Sequence, residues 1–460
     1  MSEFDKEKQE TKMSMRGRRF VEFWREHGTR AAARLIREKL GDVIAGRAVF
    51  TKVEVAPAIV ERGGTVPQIC GQRFISQQPL QTYVIPQPSL PRVSLVTDSI
   101  GSDSLFGGVG TALLFSAQLA NRMNATLRVV TRTEAPIPGN AWQILNAYGV
   151  ELQHEIQFAF APLSDMNPDA SRQGETASPG LDIHSDETFI TTSWWTTAAA
   201  LPSVPHASII YLLQEDERMF YPFGEERVHC EQVLRTEDIR FVVNTQLLYD
   251  HLIASGLTHL SRTGCWFEPA FPKSLFHVRD REPGGKKRFF FYARPNNPRN
   301  LFHVGLTLLD RAVNEGILDL EQWDVFLVGK DIPNVAFADG SRPQRCEGLG
   351  WKAYADLVGT IDLGLSLMYT PHPSYPPFDL AASGAVVVTN RFANKQDLSS
   401  YSPNILCADL DVEALLEALR EGVALAGDAQ TRSRNYAANG LGTDWAQAFE
   451  AVLRALTAAR

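Results

Sequence analysis

Apolar residues along this chain come in short, nearly unbroken runs, each ending in a polar or glycine-rich stretch. PRVSLVTDSI (91–100), ATLRVVTRTE (125–134), ETFITTSWW (187–195), ASIIYLLQEDE (207–217) and IRFVVNTQ (239–246) are of this kind. Unalternated, β-branched runs of this length predict strands buried on both faces, as in a parallel sheet. Between them the period changes to that of a helix: GGVGTALLFSAQLANRM sets Leu113, Leu114, Ala117 and Leu119 on one face. Proline, glycine and charge cluster in FPKSLFHVRDREPGGKKR (271–288), and the rhythm then restarts. RFFFYAR (288–294), WDVFLVGK (323–330), IDLGLSLMY (361–369) and AVVVTN (385–390) predict a second set of strands, with NLFHVGLTLLDRAV and VEALLEALREGVALA as helices. The alternation predicts an α/β protein of two Rossmann-like, doubly wound domains, residues 91–275 and 285–440, facing a cleft and followed by an amphipathic helix at 441–460. Residues 49–90, rich in Pro, Gln and Val, read as an extended connector.

Composition narrows the class. With 460 residues, 44% hydrophobic and 21% charged, the chain has the balance of a soluble globular protein of two or three domains. No apolar run is long enough to span a bilayer, and MSEFDKEKQETKMSMRGRR lacks the apolar core of a signal peptide. Cys70, Cys230, Cys265, Cys346 and Cys407 lie far apart with no CxxC pair, so neither a disulfide framework nor a zinc site is expected. A reduced, cytoplasmic setting follows. The net charge of −8 argues against nucleic acid as a partner. Residues 1–48 depart from that balance, with 12 Lys/Arg against 8 Asp/Glu. There Phe20, Phe23, Trp24, Ala31, Leu35 and Ile36 recur at helical spacing, predicting a basic amphipathic helical extension. It either packs on its own protein or rests, peripherally, on an anionic membrane surface.

Candidate chemistry sits where an open α/β sheet binds its ligands, just past the carboxyl ends of strands. In PHPSYPPFDLAASGAVVVTN (371–390), Pro377 suits a first helical turn and Asp379 is expected beside it, where the helix dipole favours a carboxylate. Free N–H groups at such a helix start receive a diphosphate, and Asp379 can hold neighbouring sugar hydroxyls. His372, Ser374 and Tyr375 share the loop. In FYARPNNPRNLF (291–302), Arg294 and Arg299 flank a Pro-Asn turn, a pair suited to a diphosphate, with Tyr292 beside them. Gly107 and Gly108 in SIGSDSLFGGVGTALL let backbone approach a ligand. A dinucleotide fingerprint with Glu134 as its ribose acid fails on spacing, because Leu113 stands where the third glycine belongs. TTSWWTTA and YLLQEDERMFYPFG offer Trp194, Trp195, Gln214, Glu215 and Asp216 as sugar-stacking and hydroxyl-holding groups, or as core tryptophans and a solvated acidic turn. Asp409 and Asp411 read as a helix cap rather than a metal site, so no metal and no cofactor is expected.

Together these stretches resemble the GT-B glycosyltransferases of the retaining family-4 type, over roughly residues 91–460. GGVGTALLFSAQLANR is similar to that family's glycine loop and first helix. FYARPNNPRN resembles its Arg-x4-Lys phosphate element, with Arg299 in place of lysine. PPFDLAASGAVVVTN resembles its Pro-Pro-Leu-Glu-Ala-Met-Ala-Ser-Gly run, with Asp379 in place of the second glutamate. EGLGWKAYADLVGTIDLGLSLM resembles the base-binding stretch, which implies that Leu349 and Trp351 lie near a nucleobase. The family's first glutamate falls on Pro371, and PHPSYPP replaces the usual Glu-Gly-Phe-Gly pattern. With TSWWTTA, QEDERMFYP and YTPHPSYPP, the chain looks closest to bacterial rhamnosyltransferases of surface polysaccharides. The resemblance implies a dTDP-β-L-rhamnose donor, a saccharide or lipid-linked saccharide acceptor, and metal-independent transfer with Arg294, Arg299 and Asp379 at the reacting centre. Two other readings compete: a catalytically silent nucleotide-binding scaffold of a polysaccharide assembly complex, and an NAD-type nucleotide-sugar-modifying enzyme.

Overall fold

A computed structural model describes residues 64–101, 105–163, 180–281 and 284–458. The expected basic helix at 1–48 lies outside the described residues, as does the connector up to residue 63. The first apolar rhythm forms a seven-stranded parallel sheet, ordered in space Gln157–Phe160, Thr126–Thr131, Arg92–Thr97, Glu187–Thr191, Ile209–Leu213, Arg240–Asn244, Gly264–Phe267. The second forms a six-stranded parallel sheet, ordered Gln344–Glu347, Trp323–Gly329, Lys287–Ala293, Leu363–Leu365, Val386–Asn390, Ile405–Ala408. Each sheet starts in its middle, winds to one edge and then returns to wind to the other, so each has a switch point beside its first strand. In the first sheet Leu95 packs on one face and Val96 on the other, in separate apolar cores. Phe291 and Phe290 divide the same way in the second. Double-sided burial is why these runs carry no polar alternation.

Two features depart from expectation. The connector is not simply extended, since Val66–Arg73 is a helix. Thr65 and Gln68 form a capping box and a proline sits in the first turn, which together offset the poor helix pattern. Thr82–Val84 then pairs with Leu181–Ile183 in a small parallel sheet. The last helix, Trp445–Ala458, does not stand apart. It packs back on the first sheet, with the Phe449 ring 5.3 Å from Phe115 and 4.9 Å from Phe267. The chain therefore crosses between the sheets twice, and the two crossings touch where Phe271 N–H donates to Gly442 O at 2.7 Å.

Buried charge holds the small sheet to the large one. Arg92 and Arg128, from neighbouring strands, both bind Asp182 and the fully buried Glu187. Among the described residues no helix is long and apolar enough to cross a membrane.

Candidate active site

At the carboxyl ends of both sheets lies one cavity of about 520 Å³. Gly107, Gly108, Thr111, Gln214 and Glu215 line it from the first sheet. Tyr292, Arg294, Leu349, Trp351, His372, Ser374, Tyr375 and Asp379 line it from the second. Arg294 enters directly after the strand Lys287–Ala293, and its Nη1 donates to the Tyr292 hydroxyl at 3.3 Å. Arg294 and the start of the helix Tyr375–Ala382 thus border the same space.

Arg299 does not line that space as expected. Its guanidinium lies over the Phe220 ring, 4.1 Å from the centroid, and its Nη1 is 3.6 Å from Glu215 Oε2. Phe220 and Glu215 both belong to the first sheet's loops, so a second-sheet cation is held across the cleft. Lys395, which the sequence did not single out, is wholly buried and donates to Met368 O at 3.0 Å. Burial lowers its pKa to about 8 despite the attraction of Glu215. RFANKQDL reads as a solvated loop, and nothing in it signals a buried ammonium.

Asp379 is also placed differently from expectation. The helix starts at Tyr375, so Asp379 lies beyond the first turn, which contains no acid. Pro377 does lie in that turn, at its third position, ahead of Asp379. Its carboxylate is buried and accepts from the Tyr354 hydroxyl at 2.9 Å. Burial pushes its pKa up to about 7. Ser374 precedes this helix at φ +72°, a strained conformation for a residue with a side chain. Tyr375 is no free ligand group. Its hydroxyl accepts from Asn244 Nδ2 at 2.8 Å and pairs with Thr111 Oγ1 at 2.7 Å, joining the helix to the first sheet. Gly107 lies near it at φ +71°, a backbone conformation that favours glycine, although a Cβ there would be only in ordinary contact with the Tyr375 ring at 4.0 Å. At Gly108 a Cβ would meet Gln214 Nε2 at 3.2 Å, where that amide donates to Gly108 O. Gly108 thus allows close approach between two parts of the protein, and Gly107 the turn that leads to it.

The tryptophan pair lies outside this cavity. Ser193 caps the helix Trp194–Ala200 in a reciprocal box with Thr196, which turns Trp194 into the core. The Trp194 indole donates to Tyr221 at 3.1 Å and that of Trp195 to Asp98 at 2.8 Å. Neither lines the cavity, and their faces are not presented to a sugar there. Asp216 likewise points elsewhere: it binds Arg218 at 2.7 Å, faces His251 at 3.5 Å, and its pKa falls to about 2 despite burial because of those partners. Glu217, one residue on, accepts from Trp194 N–H and the Tyr211 hydroxyl. Asp411 caps the helix Val412–Gly427, accepting from Ala414 N–H at 2.9 Å. Among the described residues no group of three or more His, Cys, Asp and Glu is arranged to hold a metal ion.

One part of the cavity lining is aromatic and was only partly legible. Tyr148 lies 5.5 Å from Trp351 and 6.2 Å from Trp445, and Phe276 lies 6.1 Å from Trp351. Trp351 was expected there. Tyr148 and Trp445 were not, since Trp445 belongs to a C-terminal helix whose packing partner no local pattern reveals.

Comparison with known proteins agrees with this architecture. Residues 92–246 match the family described as WsaF, N-terminal domain, and residues 287–420 match WsaF, C-terminal domain. The chain is 31% identical over 271 residues to the O-antigen biosynthesis protein RfbC of Myxococcus xanthus, a stretch that is 57% of this chain and 20% of that protein. The chain thus spans about a fifth of that relative. Among solved structures, sucrose-phosphate synthase from Thermosynechococcus elongatus superposes with a TM-score of 0.55 at 12% identity, over 80% of this chain and 100% of its own. WaaG, a glycosyltransferase involved in lipopolysaccharide biosynthesis, gives 0.55 at 11% identity over 79% and 99%. HepE of Anabaena, solved in complex with UDP-glucose, gives 0.51 at 11% identity over 80% and 99%. At such identities the likeness is one of fold, and the fold is that of the GT-B glycosyltransferases.

Proposed function

Carrying both WsaF domains in order over more than half its length, the chain belongs to the WsaF family, and we propose that it is a glycosyltransferase of bacterial surface-polysaccharide synthesis. The observation that carries this reading is the shared cavity. Arg294, the strained Ser374 and the start of the following helix border one space at the carboxyl ends of two facing Rossmann-like sheets. The Arg294 guanidinium favours a diphosphate and the dipole of the helix adds to it, while Pro376 and Pro377, which carry no N–H, leave Tyr375 as the N–H donor among the first three helical residues. We assign the donor as a nucleotide sugar, dTDP-β-L-rhamnose, with its base in the aromatic end near Leu349 and Trp351. Asp379, with Tyr354, faces the nucleoside. The acceptor is a saccharide, free or lipid-linked, entering from the first sheet's side.

In the reaction the bond from the anomeric carbon to the donor phosphate oxygen breaks, and a bond from that carbon to the acceptor oxygen forms. The acceptor's proton passes to the departing phosphate oxygen, on the same face, so configuration is retained. Arg294 stabilises the charge gathering on the diphosphate, and Arg299 adds positive potential close by. With these cations the transfer needs no metal ion. The buried cavity limits hydrolysis by keeping water from the anomeric carbon. Under the same reading, the domains divide near residues 275–285, with the first holding the acceptor and the second the donor, and the enzyme works at the cytoplasmic face of the membrane.

The test is a transfer assay with dTDP-β-L-rhamnose and a rhamnose-containing oligosaccharide, read by product mass and dTDP release. Wild type should transfer one deoxyhexose, and Arg294→Ala should lower turnover by about two orders of magnitude or more. Undiminished turnover in that variant contradicts the assignment of Arg294. Binding of nucleotide without any transfer favours the silent-scaffold reading.

A further inference from the structure

In residues that line the cavity, three buried polar atoms make no hydrogen bond: His372 Nε2, Gln214 Oε1 and Glu215 Oε2, the last of which has the Arg299 guanidinium 3.6 Å away. Leaving such atoms unpaired costs free energy, so their grouping around one cavity points to a ligand that pairs them. Their polarity is set by their surroundings. His372 is 3% exposed, and its Nδ1 accepts from Ser374 N–H at 2.9 Å. That bond places the ring proton on Nε2, which is therefore a donor. Burial, with Lys395 and Arg299 nearby, lowers the imidazole pKa to about 3, so the ring stays neutral and keeps this tautomer. Gln214 Nε2 is committed to Gly108 O, which leaves Gln214 Oε1 an acceptor.

The donor and the acceptors come from opposite sides of the cleft. Gln214 and Glu215 follow the first-sheet strand Ile209–Leu213, whereas His372 follows the second-sheet strand Leu363–Leu365. They are neighbours through one residue: the Thr370 hydroxyl donates to His372 O at 3.4 Å, and its side chain also holds Glu215. Burial raises the Glu215 pKa to about 7 against the pull of Arg299, so above that pH it is a carboxylate acceptor, and an acceptor together with a neutral N–H donor suits a group that donates and accepts at once, which is a hydroxyl. A phosphate offers no proton to the two acceptors. An apolar group leaves all three atoms unpaired.

We propose that His372 and Glu215, flanked by Gln214, form a subsite that reads a hydroxyl of the transferred sugar across the cleft. This rests on the nucleotide-sugar reading above and goes further by naming the atoms that recognise the sugar rather than the nucleotide. The transferred sugar, not the acceptor, fits because the subsite adjoins Arg299, 3.6 Å from Glu215, and because its atoms are closed off from solvent. The subsite is complete only when both sheets contribute, so recognition of the sugar is coupled to the closed arrangement.

The experiment measures how much the sugar adds to affinity. Calorimetric titration gives Kd for a nucleoside diphosphate and for its sugar conjugate, using dTDP and dTDP-β-L-rhamnose, on wild type, His372→Phe, His372→Gln and Glu215→Gln. A lost neutral hydrogen bond corresponds to roughly 2- to 10-fold, and a lost bond to a charged group to roughly 10- to 100-fold. His372→Phe should therefore reduce the sugar's contribution by roughly 2- to 10-fold and Glu215→Gln by roughly 10-fold or more, with the Kd of dTDP itself unchanged. His372→Gln, which keeps an N–H donor, should recover part of the loss. Thermal melts confirm that each variant is folded. An unaltered sugar contribution overturns the subsite, as does an equal loss for dTDP alone. A rise confined to the KM of the acceptor overturns its assignment to the transferred sugar. If wild type binds no nucleotide at all, the nucleotide-sugar reading fails with it, an outcome distinct from nucleotide binding without a sugar contribution.

Discussion

Asp379 shows how one residue's setting decides its chemistry. Its pKa, raised from the ordinary carboxylate range to about 7 by burial, means that the folded protein prefers it protonated. The unfolded chain ionises it near pH 4, so its contribution favours folding below that pH and is progressively lost as pH rises through about 7. At pH 8 the ionised carboxylate costs up to roughly 4 kcal/mol, an upper bound set by that shift. Asp379→Asn keeps an acceptor for Tyr354 and removes the ionisation. It should melt several degrees above wild type at pH 8 and with wild type at pH 4, whereas equal melting at both pH values contradicts the account. Residues such as Arg294 were legible because a strand's carboxyl end is where an α/β sheet places ligands. Tyr148, Trp445 and Lys395 were not, because each reaches its place through a fold-level contact. Trp194 misled for a related reason: a tryptophan's sequence context does not tell a sugar platform from a core residue, and here the Ser193 cap aims it inward.

At the scale of elements, the helix Tyr375–Ala382 is short, and its position depends on partners. Tyr375 supplies them by bridging Asn244 and Thr111. Tyr375→Phe removes two buried hydrogen bonds while keeping the ring. It should destabilise the protein by about 1–3 kcal/mol and speed amide exchange in both the glycine loop and residues 372–382. Faster exchange in only one of these segments contradicts the bridge. In the first sheet, Glu187→Ala leaves two buried guanidiniums with Asp182 as their one remaining carboxylate. It should cost about 3–5 kcal/mol in urea unfolding, and a loss under about 1 kcal/mol contradicts that role. Central strands were readable as unbroken apolar runs. Edge strands such as Gln344–Glu347 were not, since an exposed edge carries polar side chains and little period. The helix Val66–Arg73 escaped because it buries no side chain and rests on its capping box.

Among the described residues two large sheets are joined by two crossings, and a final helix returns to the first. Trp445, Phe449, Val452, Leu453 and Leu456 bury their side chains there. At about 2 kcal/mol each, they contribute on the order of 10 kcal/mol, comparable to the net stability of a domain. A variant ending at residue 440 should therefore lose cooperative melting, and a wild-type melt would show the helix dispensable. The two-domain plan was legible in the restart of the strand rhythm after residue 288, but the return of the last helix was not, because an amphipathic pattern reports a buried face and not its partner. What unites the scales is a cation at a strand end bordering a helix start across a cleft. Calorimetric titration of dTDP, UDP and GDP into wild type and Arg294→Ala tests this most directly. Saturable binding of at least one nucleotide, weakened about 10- to 100-fold in the variant, is the predicted result; binding of none, or equal affinity in both proteins, contradicts the account.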